Sequence, residues 1–178
     1  MKIVAYMTGA VALVLLILSI PLLDDWDGDR KSNRSHAEHT EALRKLFPVL
    51  EADRVTALRY QDWCKVISYS RGSFANTNES NCIYVATDPP KPFDAQAEAD
   101  LERLWQRVRS SKAGVFEISE IKFSTSGGLI HGRFDFSSTF VRDHYVFSPG
   151  YTLPADVPGE RLHARIDADW YHIAEDWN

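Results

Sequence analysis

Residues 115–136 read VFEISEIKFSTSGGLIHGRFDF, and the reading of this stretch decides the fold. Phe116 and Ile118 lie on one phase of the strand alternation and Ile121 and Phe123 on the other. A single apolar face therefore requires a bulge at Ser119-Glu120. Residues 128–136 then return antiparallel around the loop at 124–127. In that register Phe123 faces Gly128, Ile121 faces Ile130, Ile118 faces Gly132 and Phe116 faces Phe134, which sets a glycine opposite the bulge. The expected product is a twisted antiparallel sheet with one apolar face.

The next strand extends it. A tight turn at Ser137-Ser138 puts Phe134 opposite Val141 and Ile130 opposite Tyr145 on the core side, although Ser-Ser is not the expected hairpin pair. On the other side it puts Arg133 opposite Arg142 and His131 opposite His144. Like charges directly opposed cost stability. His131, Arg133, Arg142 and His144 are thus the candidate seat of an anionic ligand or an acidic partner, against the plainer reading of a solvated face whose arginines splay apart. The chain then crosses a Pro-containing loop at 148–159, in which Tyr151 and Leu153 suggest a packed lid or contact surface. It ends on strands at 161–166 and from Trp170, where Trp170, Tyr171, Ile173 and Trp177 are expected to seal the sheet.

Two helices precede these strands. Asp94 caps the clearer one, with Ala97, Leu101, Leu104, Trp105 and Val108 on one face, Arg103, Arg107 and Arg109 late, and Gly114 placed to close it. The other begins with the capping-box form Ser35-His36-Ala37-Glu38, and Pro48 ends or kinks it near Phe47. Between them, residues 55–60 and 64–70 carry strand-type residues, 71–81 read as a loop, and 82–86 resume a strand. The order is α+β: a twisted antiparallel sheet with two helices packed on one face. Rolls of the cystatin-like kind have a related layout, a comparison that rests on architecture alone and implies no function.

Ahead of this domain, Ile3–Leu23 is an almost unbroken apolar run. About 21 residues at ~1.5 Å rise give ~31 Å of helix, enough for the hydrocarbon core of a bilayer. It is too long for a signal-peptide core, and its end, Ser19-Ile20-Pro21-Leu22-Leu23, puts bulky residues where a peptidase needs small ones. The run reads as an uncleaved single-pass anchor, with residues 24–34 as a tether and 35–178 as one domain. A literal positive-inside count opposes an outside domain, because Arg30, Lys31 and Arg34 follow the span and only Lys2 precedes it. Long C-terminal domains translocate largely regardless of charge. The domain is therefore expected on the extracytoplasmic side, periplasmic in a Gram-negative cell.

Composition narrows function by exclusion. Every acid, and every base but Lys2, lies past the span, which leaves 19 Lys and Arg against 25 Asp and Glu there. An acidic body argues against a nucleic-acid partner. Cys64 and Cys82 are the two cysteines, and an oxidising compartment would join them in a disulfide. No cofactor motif and no catalytic constellation stands out. His36 and His39 share one helical turn, but two ligands do not make a metal site, and Asp167, Asp169, His163 and His172 lack a spacing that fixes geometry. The expected function is a membrane-anchored binding or assembly module contacting a protein or envelope component. The alternatives are a small envelope hydrolase using His131, His144, Asp135 and His163, and a membrane-bound immunity or inhibitor protein.

Overall fold

The computed structural model describes residues 35–137 and 141–176. The apolar run at 3–23, the tether at 24–34 and Trp177 lie outside them. Among the described residues no helix is long and apolar enough to cross a membrane.

The order of elements is α1 (His36–Arg44), α2 (Phe47–Asp53), β1 (Ala57–Gln61), β2 (Cys64–Tyr69), β3 (Gly72–Ala75), α3 (Ser80–Ile83), β4 (Lys91–Pro92), α4 (Ala95–Ser110), β5 (Glu117–Phe123), β6 (Leu129–Ser137), β7 (Val141–Phe147), β8 (Arg161–Arg165) and β9 (Trp170–Asp176). The fold is α+β. Among the described residues nine strands form one sheet in the order β4-β3-β2-β1-β5-β6-β7-β9-β8. Every pairing is antiparallel except β3 with β4, so the sheet is mixed rather than purely antiparallel.

Strand alternation gives the sheet two faces of different chemistry. Leu58, Ile67, Phe74, Ile118, Phe134, Tyr145, Phe147 and Trp170 point to one side and meet Leu43 of α1, Leu50 of α2, and Leu101, Leu104 and Val108 of α4 in the main core. The capping box of α1 forms as read, with Glu38 N donating to Ser35 Oγ and Ser35 N to the Glu38 carboxylate. Asp94 accepts from Ala97 N at 2.7 Å and starts α4, whose buried residues are the five expected. Pro48 falls in the first turn of α2, where its missing N–H costs nothing, so of the two expectations, an end or a kink near Phe47, the first helix ends, at Arg44, and a second begins at Phe47. The closure of α4 also differs in detail. Ser111 is its C-cap, and both Lys112 and Gly114 take positive φ in the turn that follows.

The opposite face corrects the reading of residues 71–86. The expected loop contains β3, and the expected strand at 82–86 is instead the end of the short helix α3 and the turn after it. The disulfide forms, with Cys64 and Cys82 at a Cα separation of 5.6 Å, but it ties a strand to a helix rather than strand to strand. It packs with Ala57, Val66, Ala75 and Val85 in a second, smaller core. Closing a loop of this size contributes roughly 3 kcal/mol by the chain-entropy estimate. Two buried hydroxyls, Ser68 Oγ and Ser73 Oγ, lie 2.7 Å apart and accept from Thr87 N and Asp88 N, which fixes the segment after α3 on this face.

The bulge occurs where it was read. The β5–β6 register slips between Ser119 and Lys122, and Glu120 sits at φ 55°. Gly132 sits close against this bulge, where a Cβ would lie 2.5 Å from the tip of the Ile121 side chain and 3.2 Å from the Phe134 ring, so both would have to give. The expected registers do not hold. Ile118 pairs with Phe134 rather than Gly132, a shift of two, and Phe134 pairs with Tyr145 rather than Val141, a shift of four. A two-residue turn at Ser137-Ser138 is excluded, since Ser137 pairs with Arg142.

Candidate functional site

The register of β5, β6, β7 and β9 determines which polar groups meet on the face away from the three larger helices. Glu117 and Ser119 of β5, Arg133 and Asp135 of β6, His144 of β7 and Glu175 of β9 alternate with the core residues and therefore share that face. Asp135 is opposite both Glu117 and His144. Arg59 of β1 is opposite Glu117 and extends the row. Apart from the half-buried Arg133 these groups are buried, with His144 at 0% exposed, Glu117 at 1%, Arg59 and Asp135 at 4% and Glu175 at 7%.

Each charge has named partners, as buried charges require. Asp135 takes a short hydrogen bond from His144 Nδ1 and a 3.0 Å bond from Arg133 Nε. Arg133 Nη2 lies 2.9 Å from His144 Nε2 and 3.8 Å from Glu175. Glu175 lies 3.3 Å from His144 Nε2 and 2.8 Å from Arg161 Nη2, whose strand β8 closes that end of the row. At the other end, Glu117 accepts from Tyr84 Oη at 3.0 and 2.9 Å and faces Arg59 Nη1 at 3.4 Å. Arg59 also donates to Gln61 Oε1 and to the Asn81 carbonyl, and its guanidinium lies 5.2 Å from the ring centre of Trp63 and 5.4 Å from that of Tyr84.

The two carboxyls at the centre diverge in acidity. Burial pushes Glu117 up to about 7, and the neighbouring Asp135 adds to the effect. Burial also acts upward on Asp135, but hydrogen bonding to His144 and the charges of His144 and Arg133 outweigh it and hold it below its ordinary value. Burial, then the Glu117 charge, pushes Tyr84 up to about 12.

A group whose folded pKa exceeds its unfolded one favours folding when protonated. Glu117 is protonated in both states well below 4.5 and ionised in both well above 7, so its cost to stability grows between those values. Glu117→Gln, which mimics the protonated acid, should leave stability near pH 4.5 little changed and gain on the order of 3 kcal/mol relative to wild type by pH 8. Denaturant titrations at pH 4.5, 6 and 8 measure this, and a difference that does not change with pH would refute it.

The four residues expected to form an anion seat are only partly brought together. Arg133 and His144 touch. His131 turns instead toward Glu120, at 3.7 Å, and Arg142 stands opposite Glu175 in the β7–β9 ladder. Four carboxylates of the chain, those of Glu117, Glu120, Asp135 and Glu175, stand among these cations, and a bound anion would compete with them. The Asp135–His144 pair has the composition of a general base, but an imidazole with no exposed surface offers no reach to a substrate proton. His163, the fourth residue of the hydrolase alternative, is apart from this pair and lies 3.4 Å from Asp156.

Glu117, Glu175, Arg59 and Tyr84 were not singled out from the sequence. The available signal was the presence of acids inside strands otherwise built of Ile, Phe and Tyr, where acids are depleted. A cavity of about 430 Å³ lies away from this row, lined by Lys65, Phe93, Glu98 and Glu102 among others, with Lys65 Nζ 3.8 Å from Glu102. Among the described residues no group of three His, Cys, Asp or Glu is arranged to hold a metal ion. No protein-family model, curated protein or solved structure matches the chain.

Proposed function

We propose that this chain is a single-pass, membrane-anchored binding or assembly module whose folded domain lies on the extracytoplasmic side and contacts a protein partner. The observation that carries the reading is the joined Cys64–Cys82 pair in a chain that also carries the apolar run at 3–23. Disulfides persist in oxidising compartments, and a span of about 21 apolar residues suffices to hold a chain in a bilayer.

The choice of a protein partner is supported by the surface around Arg59. Trp63 and Tyr84 are 49% and 55% exposed, and both rings lie against that guanidinium. Trp, Tyr and Arg are the side chains enriched where partners bind most tightly. The buried charge row beneath is a framework that holds Tyr84 through Glu117, and it lacks the accessible base that a hydrolase needs.

Three measurements on the full chain in cells test the proposal. The protein should resist extraction from membranes by alkaline carbonate. Its cysteines should be protected from a membrane-permeant alkylating agent until a reductant is added. A photo-crosslinking residue in place of Trp63 should capture one discrete protein band that a residue in place of Lys112 does not. Free thiols in cells, or extraction into the soluble fraction, would overturn the membrane and compartment reading. An absence of any position-specific band would overturn the protein-binding one.

A further inference from the structure

Tyr84 is the exposed half of a contact whose other half is buried. Its hydroxyl donates to both carboxylate oxygens of Glu117, at 3.0 and 2.9 Å, beneath a ring that solvent reaches. Each element packed against Glu117 presents one ionisable group to it. Arg59 of β1 stands opposite on one side with Nη1 at 3.4 Å, Asp135 of β6 stands opposite on the other, and Tyr84 reaches it from the segment after α3. Behind Asp135 lie Arg133 and His144, and the charge of Arg142 in β7 acts on the Tyr84 hydroxyl.

We propose that Glu117 is a pH switch on the docking surface of Trp63, Arg59 and Tyr84, which is held in place when the carboxyl is ionised and loosened when it is protonated. The switch rests on the protein-binding reading of that surface. Its basis is the arrangement of the row. Two buried carboxyls set opposite one another cannot both ionise without cost, so one of them keeps its proton to a higher pH. Asp135 accepts from Arg133 and His144, whereas Glu117 has a neutral phenol and a guanidinium at 3.4 Å, so Glu117 is the one that gains the proton. Burial, and then the Asp135 charge, accordingly push Glu117 up to about 7. Tyr84 stays a donor through that range, since burial and then the Glu117 charge push it up to about 12.

Protonation changes what holds the surface. An ionised Glu117 gives Tyr84 a charge-assisted hydrogen bond, roughly twice as strong as one to a neutral acceptor. It also balances Arg59, whose guanidinium lies against both exposed rings. Once protonated, Glu117 bonds to Asp135 through its own O–H, the bond from Tyr84 becomes a neutral one, and Arg59 is left to Gln61 and the Asn81 carbonyl, both uncharged. A partner that needs Trp63 and Tyr84 in fixed positions therefore binds more weakly as pH falls through about 7.

Two measurements on the full chain test the switch. In detergent, the Trp63 indole N–H resonance, identified by its loss in Trp63→Phe, should move between about pH 5.5 and 8 with a midpoint near 7, and in Glu117→Gln it should stay at the low-pH position. In whole cells held in buffers across the same range, capture of the partner by a photo-crosslinking residue at position 63 should fall roughly fivefold toward the acid end, and in Glu117→Gln it should be low at every pH. An indole resonance that does not move overturns the switch. So does a pH dependence that persists in Glu117→Gln, which would belong to His144 beyond Asp135. A discrete band of equal yield at both ends of the range also overturns it and leaves the protein-binding reading standing, whereas no band at any pH overturns that reading and the switch with it.

Discussion

Asp135→Ala is expected to destabilise the domain by about 3–5 kcal/mol at pH 7, because removing one partner of a buried pair leaves the other charge uncompensated. Asp135 accepts from Arg133 at 3.0 Å and from His144, and His144, with no exposed surface, cannot turn to water instead. The same substitution removes the negative neighbour that helps to raise Glu117, so the pH dependence of the remaining stability should flatten between pH 5 and 7. Urea unfolding across that range reads both effects. The informative companion is the double variant Arg133→Leu with Asp135→Leu. Apolar replacement of a whole buried pair is often neutral or stabilising, so the double variant should recover most of the loss. If Asp135→Ala cost less than about 1 kcal/mol, the row would be far better hydrated than its burial implies.

Trp170→Ala should cost a similar ~3–5 kcal/mol for a different reason, the cavity left by a large core side chain. Trp170 has no exposed surface and lies 5.2 to 6.0 Å, ring centre to ring centre, from Phe147, Phe134 and Phe47, so it joins β9 to two strands and to the start of α2. Arg44 of α1 rests over its ring at 5.6 Å. Its indole N–H has no hydrogen-bond partner among the described residues. Trp170→Phe therefore removes volume but no hydrogen bond, and it should cost clearly less than alanine. Equal losses for the two variants would mean that a single ring restores none of the packing that the indole provides.

The sequence was legible where a pattern is long and self-contained. Helix α4 has a cap, sixteen residues and a five-member apolar stripe, and each of these is fixed by neighbours within a turn or two. The bulge at Glu120 was legible for the same reason, since it reconciles two local phases of alternation. Residues 72–86 were not. A four-residue strand and a four-residue helix are too short to show a period, and what fixes them is distant: β2 alongside, the disulfide, and the two serine hydroxyls. The candidate site failed at register. A slip of four residues keeps every side chain on its face, so Arg133 and His144 were rightly placed on the outer side. The slip still exchanged an expected His131–His144 pair for Asp135–His144. Hydrophobic alternation cannot detect a slip by an even number of residues, and at the start of β6 the face itself was misread, since Ile130, expected opposite Tyr145 in the core, is 48% exposed and Leu129 is buried instead.

The two ends of the sheet differ from its faces in what they can accept. One terminal strand, β4, is two residues long and ends in Pro92, which has no N–H to offer. At the other, the outward backbone of β8 is already engaged. Asp156 accepts from the His163 N–H at 2.7 Å, and Val157 and Arg161 exchange both of their backbone bonds at 2.8 Å. Among the described residues, an incoming extended peptide meets a two-residue strand on one border and, on the other, a strand whose Arg161 and His163 N–H groups are already bonded. Strand addition at either border would therefore have to begin beside a proline or displace bonds that the domain already makes.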